Sequence, residues 1–260
     1  MLSEKLNQYK YRDEVSIALT AAEDAGALLR SSYDRESRIM RADGRDIKIE
    51  EDLLSEKVIL DSLKKFQYSI ISEESGRIGN PNSTLPIWIV DPLDGTYNYA
   101  RKIPFCAVSI ALWADEKPLF GVVNNFLAGE MFVGVTGVGG WCNGVPIRVR
   151  TIDTAANGII ATGFPVNSNF SEHSVSNAVG NALKFQKIRM LGSAAMSLAY
   201  TADGRIDVYQ EDNIMLWDIA GGLGLVEAAG GTYDLLSTGI QNCYTVIAGN
   251  SKLVEQYRSC

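Results

Sequence analysis

Asp91 and Asp94 stand three positions apart at the end of an apolar run, with Pro92 between them and Gly95-Thr96 behind. The run Ile87-Trp88-Ile89-Val90 has the character of a buried strand, and Pro-x-Asp-Gly predicts the turn that stops it. That arrangement sets the two acids side by side at the mouth of a sheet edge. Carboxylates about 4 Å apart repel by roughly 1 kcal/mol in water and about 4 kcal/mol near a protein surface. A chain that holds such a pair together calls for a cation between them. Oxygen-only ligands select a hard one, Mg²⁺ before Ca²⁺ or Mn²⁺. A lone Asp-Pro-x-Asp is ordinarily just a capped turn. The longer run is rarer, since five fixed positions recur by chance on the order of 10⁻⁴ times in a chain of this length.

Other acids are ambiguous alone. Glu73-Glu74 follows the short apolar run Ile70-Ile71, and adjacent acids usually mark a solvated turn. Asp218 stands before Ile219-Ala220-Gly221, where an acid favours a helix dipole whether or not it binds anything. The single histidine, His173, sits in a Ser/Asn-rich stretch and is predicted to lie on the surface. Proton transfer therefore falls to carboxylates, hydroxyls and metal-activated water.

Taken together, the motifs resemble the inositol monophosphatase family, part of the lithium-sensitive, Mg²⁺-dependent sugar and nucleotide phosphatases. Asp91-Pro92-Leu93-Asp94-Gly95-Thr96 is similar to its signature. Ile71-Ser72-Glu73-Glu74-Ser75-Gly76 is similar to its Glu-Glu-Ser element, and Leu216-Trp217-Asp218-Ile219-Ala220-Gly221 to its Trp-Asp helix start. Leu191-Gly192-Ser193-Ala194-Ala195 resembles its Gly-[Thr/Ser]-Ala-Ala element. The resemblance runs from about Tyr11 to Gly249. It implies two to three Mg²⁺ held by Glu73, Asp91, the Leu93 carbonyl, Asp94 and Asp218. It also implies a catalytic group of Thr96, Asp52 and Glu73, with Asp52 partnering the Thr96 hydroxyl that orients the attacking water. The family commonly has Val-Thr where this chain has Lys48-Ile49, so Glu50 and Glu51 remain open as that partner. Substrate contacts are expected from Asp94, Gly95, Thr96, Gly192, Ser193, Ala194, Glu211 and Asp218. Glu211, seven positions before Asp218, would hold a substrate hydroxyl.

The implied activity is Mg²⁺-dependent hydrolysis of inositol monophosphate or a related polyol or sugar phosphate. Alternatives with the same chemistry are fructose 1,6-bisphosphate, 3′-phosphoadenosine 5′-phosphate and histidinol phosphate. Gly95-Thr96-Tyr97-Asn98-Tyr99 and Thr162-Gly163-Phe164-Pro165 resemble inositol-type members. Asp34 to Arg45 and Asp212-Asn213-Ile214-Met215 depart from the pattern, and both are predicted to border the substrate. A role of another class is protein binding, as in bacterial relatives that dock onto transcription machinery. The resemblance further implies a homodimer.

The elements that must position these groups read as follows. Tyr11 to Ser32 and Glu50 to Phe66 have helical periodicity, and Ser32 to Asp46 reads as a loop. Strands are predicted at Tyr68–Ser72, Ile87–Val90, Ala107–Trp113, Phe120–Asn124 and Met131–Val135, with a type I′ turn at Asn143-Gly144. After about Arg150 an α/β rhythm sets in: strands at Gly158–Thr162 and Ile206–Gln210, a short segment at Lys187–Met190, and helices at Glu172–Phe185, Ala194–Ala202 and Ile219–Ala229. Two lobes result. Residues 1–150 form an α+β lobe with most metal ligands; residues 151–260 form an α/β lobe with substrate residues and the last metal ligand. The architecture itself, a five-layer αβαβα sandwich of the inositol monophosphatase and fructose-1,6-bisphosphatase type, comes from the resemblance.

Composition limits the classes. The 260 residues are 46% hydrophobic and 21% charged, with a net charge of −7. No basic block stands out, which argues against nucleic acid as a partner. No apolar run reaches membrane-spanning length, and the polar N-terminus lacks a signal-peptide pattern. Cys106, Cys142, Cys243 and Cys260 are scattered, so free thiols and a cytoplasmic location are expected.

Overall fold

The computed structural model describes residues 2–44, 46–168 and 170–258. Helices α1 (Leu2–Leu6) and α2 (Arg12–Ser32) are followed by β1 (Ile39–Asp43), β2 (Asp46–Ile49) and α3 (Glu50–Leu63). Eight strands come next: β3 (Ser69–Ser72), β4 (Gly76–Ile78), β5 (Ile87–Asp94), β6 (Ala107–Ala114), β7 (Lys117–Asn125), β8 (Glu130–Val135), β9 (Gly139–Cys142) and β10 (Val145–Ile147). The short helix α4 (Thr96–Ala100) sits between β5 and β6. The remainder is β11 (Ile159–Thr162), α5 (Glu172–Ala182), β12 (Lys187–Arg189), α6 (Ala194–Ala202), β13 (Val208–Met215), α7 (Leu216–Ala228), β14 (Thr232–Ser237), β15 (Cys243–Gly249) and α8 (Ser251–Arg258).

Strands β3 to β10 form one sheet in the order β10-β9-β8-β7-β6-β5-β3-β4, and β11 to β15 form a second in the order β12-β11-β13-β15-β14. The alternation of β6 shows how the layers stack. Val108, Ile110 and Leu112 pack with α2 residues Val15, Ala18 and Leu29 on one face. Ala107, Ala111 and Trp113 pack on the other with Leu198 of α6 and Ile219 and Leu223 of α7. Side-chain period two thus buries both faces of an uninterrupted apolar strand. Beyond the second sheet, Ala182 and Phe185, at and just past the end of α5, join Leu253 and Val254 of α8 against Ile160, Val208 and Ile247. The result is the five-layer αβαβα sandwich.

Helix α7, sandwiched between sheets, is apolar nearly all round, as a fully covered helix must be. It approaches β7 backbone to backbone: a Cβ on Gly121 would lie 2.0 Å from the Gly221 carbonyl oxygen. That contact fixes the height of α7, and hence of Asp218 in its first turn.

Several elements differ from the sequence reading. The stretch expected as a loop contains the β1–β2 hairpin, paired from Ile39↔Ile49 to Asp43↔Asp46. Ile47 and Ile49 are buried, but Ile39 and Met40 are exposed, so β1 carries no apolar period to betray it. Strand β5 continues through Asp94 rather than stopping at Val90, because its ladder resumes after a shift between Asp91 and Asp94. Strand β13 starts two residues later and ends five residues beyond the expected limit, and α7 begins at Leu216. Strands β14 and β15 and helix α8 were not anticipated. The Asn143-Gly144 turn has positive φ at both residues, 48° and 79°, as a type I′ hairpin requires. Cys106, Cys142 and Cys243 are free thiols, and Cys260 lies outside the described residues. His173 is exposed. Among the described residues no helix is long and apolar enough to cross a membrane.

Candidate active site

In a regular strand residues i and i+3 face opposite sides of the sheet. On β5 the pairing Asp91↔Ser109 is followed by Asp94↔Ala107, so Pro92 and Leu93 oppose the single residue Val108. This β-bulge re-aims the later carboxylate, and a proline is tolerated there because the ladder is already interrupted. Both acids are buried, and the Leu93 amide donates to Asp91 Oδ1 at 3.0 Å. Asp218, in the first turn of α7, accepts from the Met215 amide at 3.3 Å. Carboxylate oxygens of Asp91, Asp94 and Asp218 all lie within 4.8 Å of one another.

Glu73 stands outside that tight group but lines the same cavity of about 390 Å³. The parallel pairing Ser72↔Val90 brings it beside Asp91, and its amide donates to the Val90 carbonyl at 3.2 Å. Burial raises the Asp91 carboxyl well above the usual carboxylate range, and the charges of Glu73, Asp94 and Asp218 push it further. Burial lifts Asp94 to about 6 although the Ser193 hydroxyl and the first amides of α6 pull it down. Ser193 Oγ donates to Asp94 Oδ2, and the Ala195 amide donates to the same oxygen at 2.8 Å. The site therefore consists of hard oxygen donors, buried together at an electrostatic cost that a divalent cation would relieve. Such a donor set fits Mg²⁺.

Thr96 opens α4 directly after Gly95, whose φ of 87° favours glycine. Its hydroxyl lies 3.3 Å from Asp52 Oδ1 and 3.0 Å from the Leu93 carbonyl oxygen. Among the described residues, Asp52 is the acid of the α3 first turn that reaches Thr96; Glu50 is exposed. Burial pushes Asp52 up to about 8, opposed by the Ile49 amide and assisted by Glu74 and Glu73. A protonated Asp52 can donate to Thr96, leaving the Thr96 proton for Leu93 O; an ionised Asp52 takes that proton instead and frees the carbonyl. Asp52 stands behind Thr96 and does not itself line the cavity.

The opposite wall carries Glu211, just before a second two-against-one shift, between Glu211 and Ile214 on β13. Burial raises its carboxyl to about 8, and Asp94 adds to the rise. Gly163 makes room for it, since a Cβ there would meet Glu211 Oε1 at 2.6 Å. Leu93, Gly95, Gly192, Ser193 and Ala194 also line the cavity, as do Thr162 to Val166 and Ile214. Asp34 to Ser37 do not; they line a neighbouring cavity that shares Tyr97.

Sequence reasoning missed the braces. Ser55 Oγ donates to the Pro92 carbonyl at 2.7 Å, and Asn98 Nδ2 ties α4 to the Leu191 carbonyl at 2.8 Å. Ser193 was expected at the substrate, and its hydroxyl is spent on Asp94. No spacing rule signals a hydrogen bond across 99 residues.

A sandwich of this layering, with an oxygen-only acidic centre where β5, α6, β13 and α7 meet, has the architecture of the inositol monophosphatase type. The chain belongs to the inositol monophosphatase family, whose model matches residues 11–258. It is similar to Nus factor SuhB of Escherichia coli strain K12, 34% identical over 93% of this chain and 92% of that protein. Inositol monophosphatase 3 of Solanum lycopersicum is 35% identical, with 84% of each chain covered. The crystal structure of extragenic suppressor protein SuhB from Bartonella henselae superposes with a TM-score of 0.84 at 32% identity, covering 94% of this chain and 96% of that one.

Proposed function

We propose that the protein is a Mg²⁺-dependent phosphomonoesterase acting on inositol monophosphate or a related polyol or sugar phosphate. The observation that carries this reading is the convergence of Asp91, Asp94 and Asp218 beside Glu73, with the Thr96–Asp52 pair on one side and Glu211 on the other. Asp91, Asp94, Asp218, Glu73 and the Leu93 carbonyl would hold two to three Mg²⁺. Bound Mg²⁺ supplies charge that neutralises the phosphate and makes water nucleophilic at neutral pH. Thr96 Oγ1 would orient the attacking water, and Asp52 in its ionised form would accept a proton through the Thr96 hydroxyl. Ser193 and the α6 amides keep Asp94 fixed, and Glu211 accepts a hydrogen bond from a hydroxyl of the leaving alcohol. Inhibition by millimolar Li⁺, a cytoplasmic location and a homodimer belong to the same proposal, from the family resemblance.

The test is release of inorganic phosphate from a panel in Mg²⁺: inositol monophosphates, fructose 1,6-bisphosphate, 3′-phosphoadenosine 5′-phosphate and histidinol phosphate. Highest kcat/KM on a polyol or sugar monophosphate supports the reading, and preference for the nucleotide overturns the substrate class. The name Nus factor, borne by a relative at 34% identity, favours a second reading in which protein binding matters beside catalysis. Rescue of a deletion strain by the Asp94→Asn protein would support that role.

A further inference from the structure

Among the described residues, Lys48 is a cation that feels the charges of Glu73 and Asp52 and that the reaction does not use. It lies on β2 between Ile47 and Ile49, both buried, and its side chain is 30% exposed. Its ammonium pairs with Glu74, whose side chain is only 3% exposed. Glu74 directly follows Glu73, which lines the active-site cavity. On its other side, the Ile49 amide donates to Asp52 Oδ2 at 2.7 Å, so the strand that carries Lys48 also holds the partner of Thr96. Burial alone would lower the Lys48 pKa. Glu74, with Glu73 and Asp52 behind it, outweighs that and the net shift is upward. The ammonium therefore stays charged, seated on Glu74 with Glu73 and Asp52 within its electrostatic reach.

We propose that Lys48 is a tethered counter-cation of the acidic centre, limiting how tightly and how many divalent cations bind on the Glu73 flank. This rests on the proposal that the carboxylates hold Mg²⁺. A dication approaching Glu73 meets attraction from the carboxylates and repulsion from the fixed ammonium. The ammonium cannot be diluted away and is only partly screened by salt. Asp91, Asp94 and Asp218 are not among the charges that act on Lys48, so ions held there would be affected less. An additional, outermost ion is the one the lysine displaces in charge. A blander role, anchoring the β1–β2 hairpin to Glu74, predicts a change in stability without a change in Mg²⁺ affinity.

The experiment is calorimetric titration of the metal-free protein with MgCl₂ alone, at one fixed salt concentration, for the wild type, Lys48→Met, Lys48→Gln and Lys48→Arg. The two neutral variants are expected to bind Mg²⁺ about three- to tenfold more tightly, or to take up one more ion per chain. Lys48→Arg keeps the charge and should reproduce the wild-type isotherm. Position 48 is partly exposed, and unchanged circular dichroism of either neutral variant is enough for the comparison. Isotherms of the neutral variants that superimpose on the wild type, or that show weaker binding, would overturn the counter-cation role. Absence of Mg²⁺ binding in the wild type itself would overturn the metal site and this proposal with it.

Discussion

Thr96 is where a single oxygen decides the most chemistry. Its hydroxyl contacts both Asp52 and the Leu93 carbonyl, so Thr96→Ala should lower kcat by roughly 10²–10⁴-fold while leaving Mg²⁺ affinity nearly unchanged. Asp52→Asn should resemble it, and the double variant should be no worse than the poorer single one, since groups acting as a unit are not additive. Multiplicative losses in steady-state kinetics would separate the two residues. Glu211→Ala should cost about 1–3 kcal/mol in kcat/KM on a polyol phosphate, the scale of a charged hydrogen bond. It should cost little on nitrophenyl phosphate; equal losses on both substrates would make Glu211 a structural acid. At this scale the sequence was most informative about the acids, because Asp91, Asp94 and Asp218 sit in compact local motifs. It was silent about Ser55, Ser193 as the partner of Asp94, and Asn98 as a brace, whose partners lie 37 to 99 residues away.

At the scale of elements, the site depends on interruptions of regularity. Strands β5 and β13 each carry a two-against-one shift at the residues that line the cavity, Asp91 to Asp94 and Glu211 to Ile214. Proline and aspartate marked the first shift only as a strand end, because local sequence does not reveal that pairing resumes beyond it. The polar run Glu211-Asp212-Asn213 hid the second in the same way, Asn213 taking a φ of 60°. Long periodic elements such as α2 and β6 are legible in the sequence nearly to the residue, since burial on a fixed face writes itself into the sequence. The β1–β2 hairpin, with one strand exposed, left no such trace. The contact of α7 on β7 gives a test here. Gly121→Ala would force a methyl against the Gly221 carbonyl. It should cost at least about 1–3 kcal/mol by overpacking, roughly 2–10 °C in Tm for a chain of this size. Activity should fall with it, because α7 carries Asp218. An unchanged Tm would contradict this packing account.

Across the whole molecule, the buried acids tie stability to pH and metal. Asp52 and Glu211 are raised to about 8 and Asp94 to about 6, chiefly by burial, whereas unfolded carboxyls titrate near 4. Between about pH 4 and pH 8 the folded, metal-free protein thus holds protons that the unfolded chain has released. Stability without metal must fall as pH rises through that window. On the proposed role Mg²⁺ would take Asp91 and Asp94 in their ionised forms, so the gain in Tm on adding Mg²⁺ to EDTA-treated protein should be larger at pH 8 than at pH 5. A gain independent of pH in thermal scans would show that Asp91 and Asp94 are not what the metal meets. Asp94→Asn removes one of the repelling charges and should raise the Tm of the metal-free protein while lowering its response to Mg²⁺.

The two sheets converge on one cavity, and what that cavity does to a phosphate ester decides its function. The most direct measurement is release of inorganic phosphate from inositol monophosphate by the purified protein in millimolar Mg²⁺, in excess EDTA, and after Mg²⁺ is restored. Turnover in Mg²⁺, loss of nearly all of it in EDTA, recovery on restoring the metal and near-complete loss in folded Asp94→Asn are the results predicted. Full activity in EDTA, or undiminished activity in Asp94→Asn, would contradict a metal-dependent phosphatase built on Asp91, Asp94 and Asp218.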